Sequence, residues 1–251
     1  MLSSLPPEIL DLVVDYLPNE PAALKACCLV SKSWIQRTRK HIFAEIKFHS
    51  PGPSIERWGK IFPDPTNSPA HHTRTLSIHD PNLITTTGAD IIPTFCGITH
   101  LDVYSQGWYN APVSLIPLHG LSPILRSLRL ACTSLPDSEV FGLICSFPLL
   151  EDLALVSLGY RGVNVGWNTP STSPKLTGSL ELRMIEGIRS TANRLLELPS
   201  GLHFKTIKVS WLSGEDAMST IDLVSRCSDA LESLDIAHYL TGVFPSAPLP
   251  D

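Results

Sequence analysis

The sequence predicts an α/β chain: a small three-helix module at the N-terminus, then a curved solenoid whose strands form one parallel sheet of about seven strands. Three observations predict it. Apolar residues recur at helical spacing through the first 42 positions, five prolines interrupt residues 49–72, and from Thr73 onward a strand-like pattern returns every 25 or 27 residues.

The first helix is expected over Pro6–Leu17. Proline is tolerated in a first turn, Glu8 complements the helix N-terminus, and Ile9, Leu10, Val13, Val14 and Leu17 make one apolar stripe before Pro18 stops the helix. A second helix is expected from Pro21 to Val30, with Leu24, Cys27 and Cys28 on one face. A third runs from Ser31, read as an N-cap, through Trp34, Thr38 and Ile42. Residues 1–48 form this module. So short a unit cannot bury enough surface alone, which points to a partner or a neighbouring domain.

Residues 49–72 read as a linker. Pro51, Pro53, Pro63, Pro65 and Pro69, with Ser50, Gly52, Ser54 and Ser68, leave room only for a short helix over Ile55–Phe62. Ile46 and Phe48 are able to begin a strand that ties the two parts together. The solenoid is assigned to residues 73–251. Its units centre on Leu76, Leu101, Leu128, Leu153, Leu180, Ile207 and Leu234, with a further apolar residue two positions on in each. Alternation predicts strands, and helical stretches follow at Asp137–Phe147, Ile188–Leu198 and Asp216–Cys227. One such unit cannot bury its own apolar face; stacked units can, with strands side by side and helices outside.

The run Leu5-Pro6-Pro7-Glu8-Ile9-Leu10, then Val13, Leu17 and Leu24, then Leu29-Val30-Ser31-Lys32 with Trp34, resembles the F-box family along the whole module. The resemblance implies docking onto a Skp-type adaptor and, through it, a cullin. The chain would then do no chemistry itself: it would be the substrate-recognition adaptor of an SCF-type (Skp-cullin-F-box) ubiquitin ligase. Carried over position by position, Leu5, Pro6, Glu8, Ile9, Leu10, Leu29, Val30 and Ser31 are the adaptor contacts, while Val13, Leu17 and Trp34 belong to the module's core. Cys27-Cys28 departs from the bulkier aliphatics usual in the family.

The repeats resemble leucine-rich repeats, and the pairing of the two regions is similar to fungal-type F-box/leucine-rich repeat proteins. The match is imperfect. The asparagine or cysteine expected at the eighth position of each unit falls at Pro81, Gln106, Thr133, Leu158, Ile185, Leu212 and Tyr239, so irregular turns are expected. Thr73 and Thr177 are polar at first positions, which predicts two looser units.

The residues following the central positions, Ser77, Asp102, Arg129, Ala154, Glu181, Lys208 and Asp235, should align across the open face of the sheet. Asp102 is expected beside Arg129, and Glu181, Lys208 and Asp235 in a row of three. This face reads either as a solvated surface with internally satisfied charges or as the binding surface for an unknown target protein. In the second reading Asp102, Tyr104, Trp108, Arg129, Glu181, Lys208, Trp211 and Asp235 are the target-binding residues, with Tyr109, Trp167 and Tyr239 as further aromatics near strand ends. The glycine-bearing stretch 159–167 reads as a partner-holding loop or a simple turn.

A formal charge of −5 offers no footprint for phosphate backbones, so no nucleic-acid partner is expected. No stretch suits a membrane span, and no basic segment precedes the first apolar residues, so the expected location is cytoplasmic and/or nuclear. The six cysteines form no C-x-x-C pair and read as reduced thiols. His71-His72 lacks ligand partners, and neither metal nor cofactor is expected. No G-x-S-x-G, H-E-x-x-H or phosphate-loop motif appears, so the chain reads as non-enzymatic. Two other readings remain: a repeat scaffold capped by F-box-like helices, and a competitor for the adaptor without ligase activity. The last strand is expected to be exposed, with some self-association or poor solubility when the chain is expressed alone.

Overall fold

The computed structural model describes residues 6–17, 20–49, 52, 54–79, 89–105, 114–135, 137–160, 172–183, 188–210 and 217–237. The expectations for Leu5, Trp108, Tyr109, Trp167, Trp211 and Tyr239, and for most of the 159–167 stretch, lie outside those residues.

The N-terminal module consists of α1 (Pro7–Asp15), α2 (Pro21–Val30) and α3 (Lys32–Ile42). Pro7 and Pro21 sit in first turns, where a missing N–H costs nothing. Ser31 caps α3, its Oγ accepting from Ser33 N at 3.3 Å. Among the described residues Val14, Leu24 and Thr38 are buried, and the Thr38 hydroxyl is satisfied by the Trp34 carbonyl at 2.6 Å. Val14, not Val13, faces inward, because Val13 lies on the exposed side of α1. Leu17 and Trp34 are half-buried.

The sheet has eight parallel strands in sequence order: β1 (Glu45–Phe48), β2 (Thr75–His79), β3 (His100–Ser105), β4 (Ser127–Leu135), β5 (Asp152–Tyr160), β6 (Ser179–Arg183), β7 (Thr206–Ser210) and β8 (Ser233–Ala237). The count of about seven is corrected to eight. The added strand is β1, whose Ile46 and Phe48 pair in register with Leu76 and Ile78. Within residues 49–72 a short helix forms where one is expected. These residues carry α4 (Ile55–Ile61) and two 3-10 turns, and Ile55 and Ala70 are buried in the same core as the strands. The prolines stop long elements but leave short ones free to pack.

Alternation fixes which face is buried. Leu76 and Ile78, Leu101 and Val103, Leu128 and Leu130, Leu153 and Leu155, Leu180 and Leu182, and Ile207 and Val209 point into one continuous core. Each fully buried side chain of this kind contributes about 1.5–3 kcal/mol. The other wall is made of α4, 3-10 turns at Ile92–Thr94 and Ile116–Gly120, α5 (Asp137–Ser146), α6 (Ile188–Leu196) and α7 (Ala217–Arg226).

A single backbone device repeats at the strand entrances. One carbonyl accepts from two successive N–H groups of the next unit: Ala44 from Arg74 and Thr75, Arg74 from Thr99 and His100, Thr99 from Arg126 and Ser127, and Arg126 from Glu151 and Asp152. Gly178 does so for Lys205 and Thr206, and Lys205 for Glu232 and Ser233. The Glu151 step is the variant: its carbonyl takes only Gly178 N, and the Asp152 carboxylate takes Ser179 N at 2.6 Å. Gly178 suits this step, because a Cβ there would stand 2.3 Å from Asp152 Oδ1. Of the eighth-position residues, Thr133 and Leu158 simply continue the nine-residue strands β4 and β5, while the others lie outside the described residues. Thr73 is buried with a hydroxyl that lacks a partner, so polarity there leaves an orphan group in a closed unit.

Candidate functional site

Two surfaces stand out. The first is the outer side of α1 and the end of α2. The module's interior accommodates few side chains, so apolar residues remain in solvent: Tyr16 is 85% exposed, Leu29 89% and Val30 71%, with Ile9, Leu12 and Val13 also exposed. So many uncovered large apolar side chains on so small a unit mark an interaction surface. Of the residues expected to contact an adaptor, Pro6, Glu8, Ile9, Leu29 and Val30 are exposed and Ser31 is half-buried at the α3 cap. Leu10 lies in α1, and Leu5 is outside the described residues. Leu12, Val13 and Tyr16 stand exposed with Ile9 on α1 and are not among the expected contacts; the i, i+4 spacing of Leu12 and Tyr16 is the available signal.

The helices behind this surface are braced by charge. Arg37 on α3 holds Asp15 at the end of α1 through both carboxylate oxygens, with Nε to Oδ1 at 2.7 Å, and His41 Nε2 lies 2.8 Å from the same Oδ1. Asp11 stands 3.9 Å from Arg37. The Arg37 hydrogen bonds, followed by that of His41, hold the Asp15 carboxyl well below the ordinary carboxylate range.

The second surface is the open face of the sheet. The register places Ser77, Asp102, Arg129, Ala154, Glu181, Lys208 and Asp235 in one row, as the repeat spacing predicts, and adds Lys47 at its start. The neighbours are as expected, Asp102 beside Arg129 and Glu181, Lys208 and Asp235 in a row of three, but the ion pairs do not follow them. Arg129 reaches past Ala154, whose methyl group leaves the way clear, to Glu181 Oε2 at 3.4 Å, and Arg183 holds Glu181 Oε1 at 3.1 Å. Among the described residues, no ion pair joins Asp102 to Arg129, or Lys208 to Glu181 or Asp235. Asp102 is left half-buried, and burial raises its pKa despite the nearby Arg129. Arg129 Nε is buried without an acceptor. Tyr104, one row further, lies against His79 with ring centroids 4.8 Å apart. Trp108 and Trp211 lie outside the described residues.

Other chemistry-bearing residues sit in structural roles. His71 Nδ1 lies 2.7 Å from the Ser68 carbonyl, and its ring lies against that of His72, centroids 3.9 Å apart and tilted by 55°. Among the described residues no group of His, Cys, Asp and Glu has metal-site geometry, and no helix is long and apolar enough to cross a membrane. Cys27, Cys28, Cys96, Cys145 and Cys227 are free thiols, and burial pushes Cys145 up to about 11.

The geometry of the first surface now meets the family comparison. Residues 2–45 match the model of the F-box domain, which covers all three helices and reaches the start of β1. The chain carries an F-box at its N-terminus. No curated protein shows significant similarity to the chain.

Proposed function

We propose that this protein is the substrate-recognition adaptor of an SCF-type ubiquitin ligase. The F-box docks on a Skp-type adaptor, which links it to a cullin, and the strand-repeat region, leucine-rich repeat-like and of the fungal type, presents a target protein on its open face. The observation that carries the reading is the apolar surface formed by Ile9, Leu12, Val13, Tyr16, Leu29 and Val30, exposed on a domain of the F-box family. Pro6 and Glu8 flank it, and Leu5 and Leu10 complete the set by family resemblance. The chain supplies binding and positioning, and the covalent chemistry belongs to the partner enzymes.

On the open face, Asp102, Tyr104, Arg129, Glu181, Lys208 and Asp235 are the proposed target contacts, together with Trp108 and Trp211. The half-buried Asp102, which has no hydrogen bond or ion pair among the described residues, supports this assignment, since a polar group of this kind gains most from a partner.

The test is co-purification of the full chain with a Skp-type adaptor, comparing the native chain with Leu29→Asp/Val30→Asp. Both side chains are exposed, so the variant keeps its fold and its helical circular dichroism. Loss of co-purification in the variant alone supports docking through this surface; a folded native chain that binds no adaptor overturns the reading and leaves a capped scaffold. Adaptor-dependent ubiquitin transfer to a captured partner, lost in Asp102→Arg, separates a ligase subunit from an adaptor competitor.

A further inference from the structure

The sheet ends differently at its two edges. Behind β1, Ile46 and Phe48 are buried, and Phe48 meets Trp58 and Phe95 edge-on. Behind β8, the side chains in the corresponding positions are open: Leu234 is 44% exposed and Ile236 50%, whereas Ile207 and Val209 one strand inward are 0% and 1% exposed. The uncovered strip continues onto α7. Leu196, Asp222, Ser225 and Arg226 line a hollow on the α6 side of that helix, and on the side turned away from it stand exposed Ile221 and half-buried Val224. Among the described residues the outer edge of β8 has no strand partner.

We propose that this end is a self-association surface, on which a second copy of the chain lays its own β8 antiparallel to the first about a two-fold axis. The inference is independent of the ligase reading. Head-to-tail stacking is disfavoured, because the side chains behind β1 are already covered and a β8 laid there would find little apolar surface to bury. Like ends, by contrast, are complementary. With Asp235 at the two-fold, Leu234 of each copy faces Ile236 of the other on the helix side, and Ser233 faces Ala237 on the open side, since directly opposed residues share a face.

Only Asp235 meets its own counterpart. Each Asp235 has Lys208 as its in-register neighbour on β7, exposed and without an ion pair among the described residues, so the row across the junction runs cation, anion, anion, cation. A two-fold junction of this kind closes into a dimer and does not propagate into a filament. It also removes an open strand edge, the feature by which sheets recruit further chains.

The experiment is sedimentation velocity of the full chain over a micromolar concentration series, with four forms: native, Leu234→Glu, Ile221→Glu and Asp235→Asn. A dimer is expected for the native chain, with a shift to monomer in Leu234→Glu. Ile221→Glu changes an exposed helix position, so it keeps the test open should Leu234→Glu fail to fold, and it weakens association. Asp235→Asn removes the opposed like charges and tightens the dimer about two- to fivefold. A native chain that stays monomeric overturns the proposal; if its β8 amides are nonetheless protected from hydrogen exchange, the residues after Ala237 cover the strand instead. A dimer unaffected by both glutamate variants, or weakened by Asp235→Asn, overturns the two-fold pairing.

Discussion

The two ends of the sheet carry nearly the same sequence pattern and have opposite surroundings. Ile46 and Phe48 on β1 and Leu234 and Ile236 on β8 all alternate toward the helix side, yet the first pair is buried and the second is open. The difference lies in what precedes and follows. Before β2, the proline-rich segment folds α4 back so that Trp58 sits among Phe43, Phe48, Phe62 and Phe95. Alternation therefore determines the face a side chain takes, while burial is set by whichever neighbour closes that face.

The sharpest way to break this comparison is Phe48→Ala. It removes a fully buried ring from the aromatic cluster and should destabilise the chain by about 3–5 kcal/mol in denaturant unfolding. The matching change at the other end, Leu234→Ala, should cost at most about 1.5 kcal/mol when unfolding is followed at a concentration that keeps the chain monomeric, because the side chain is then half in water. Equal effects would contradict the asymmetry.

Thr73→Val sharpens the covered end further. It replaces a buried hydroxyl without a partner by a methyl group of similar shape, and should raise stability by about 1 kcal/mol. The smallest expected effect is a pH response in the helical module. The Asp15 carboxyl is depressed in the folded state, so its contribution is fully present above the ordinary carboxylate pKa and is lost as pH falls through the lower folded value. Carboxyl-carbon NMR should show Asp15 titrating below the ordinary aspartate range, and Asp15→Asn should abolish the excess acid sensitivity of the α1–α3 contact.

Much of this architecture is legible in the chain itself. The spacing of Leu101, Leu128, Leu153, Leu180 and Ile207 sets the strand register, and with it the row from Ser77 to Asp235. α2 matches its expected bounds because Pro21 opens it and the Ser31 cap starts the next helix. β1 was not counted among the strands because it stands 30 residues before Leu76, outside the 25- or 27-residue step. The Arg129–Glu181 pairing depends on a long side chain crossing a small one, which residue order alone does not reveal. The Asp15–Arg37–His41 brace joins groups 22 and 26 positions apart that carry no local motif. On α1, the resemblance assigns Ile9 to the adaptor and Val13 to the core, whereas the helix buries Val14 and leaves Ile9, Leu12, Val13 and Tyr16 in water. A stripe intended for a partner looks like a core stripe until the rest of the module is seen to be too small to cover it.

The most direct test is calorimetric titration of the full chain with a purified Skp-type adaptor. Binding with a negative heat-capacity change, abolished by Leu29→Asp/Val30→Asp and retained by Leu234→Glu, is the predicted result, because burial of the exposed α1–α2 surface drives it. No heat from a folded native chain, or binding indifferent to the α2 variant, would contradict the account.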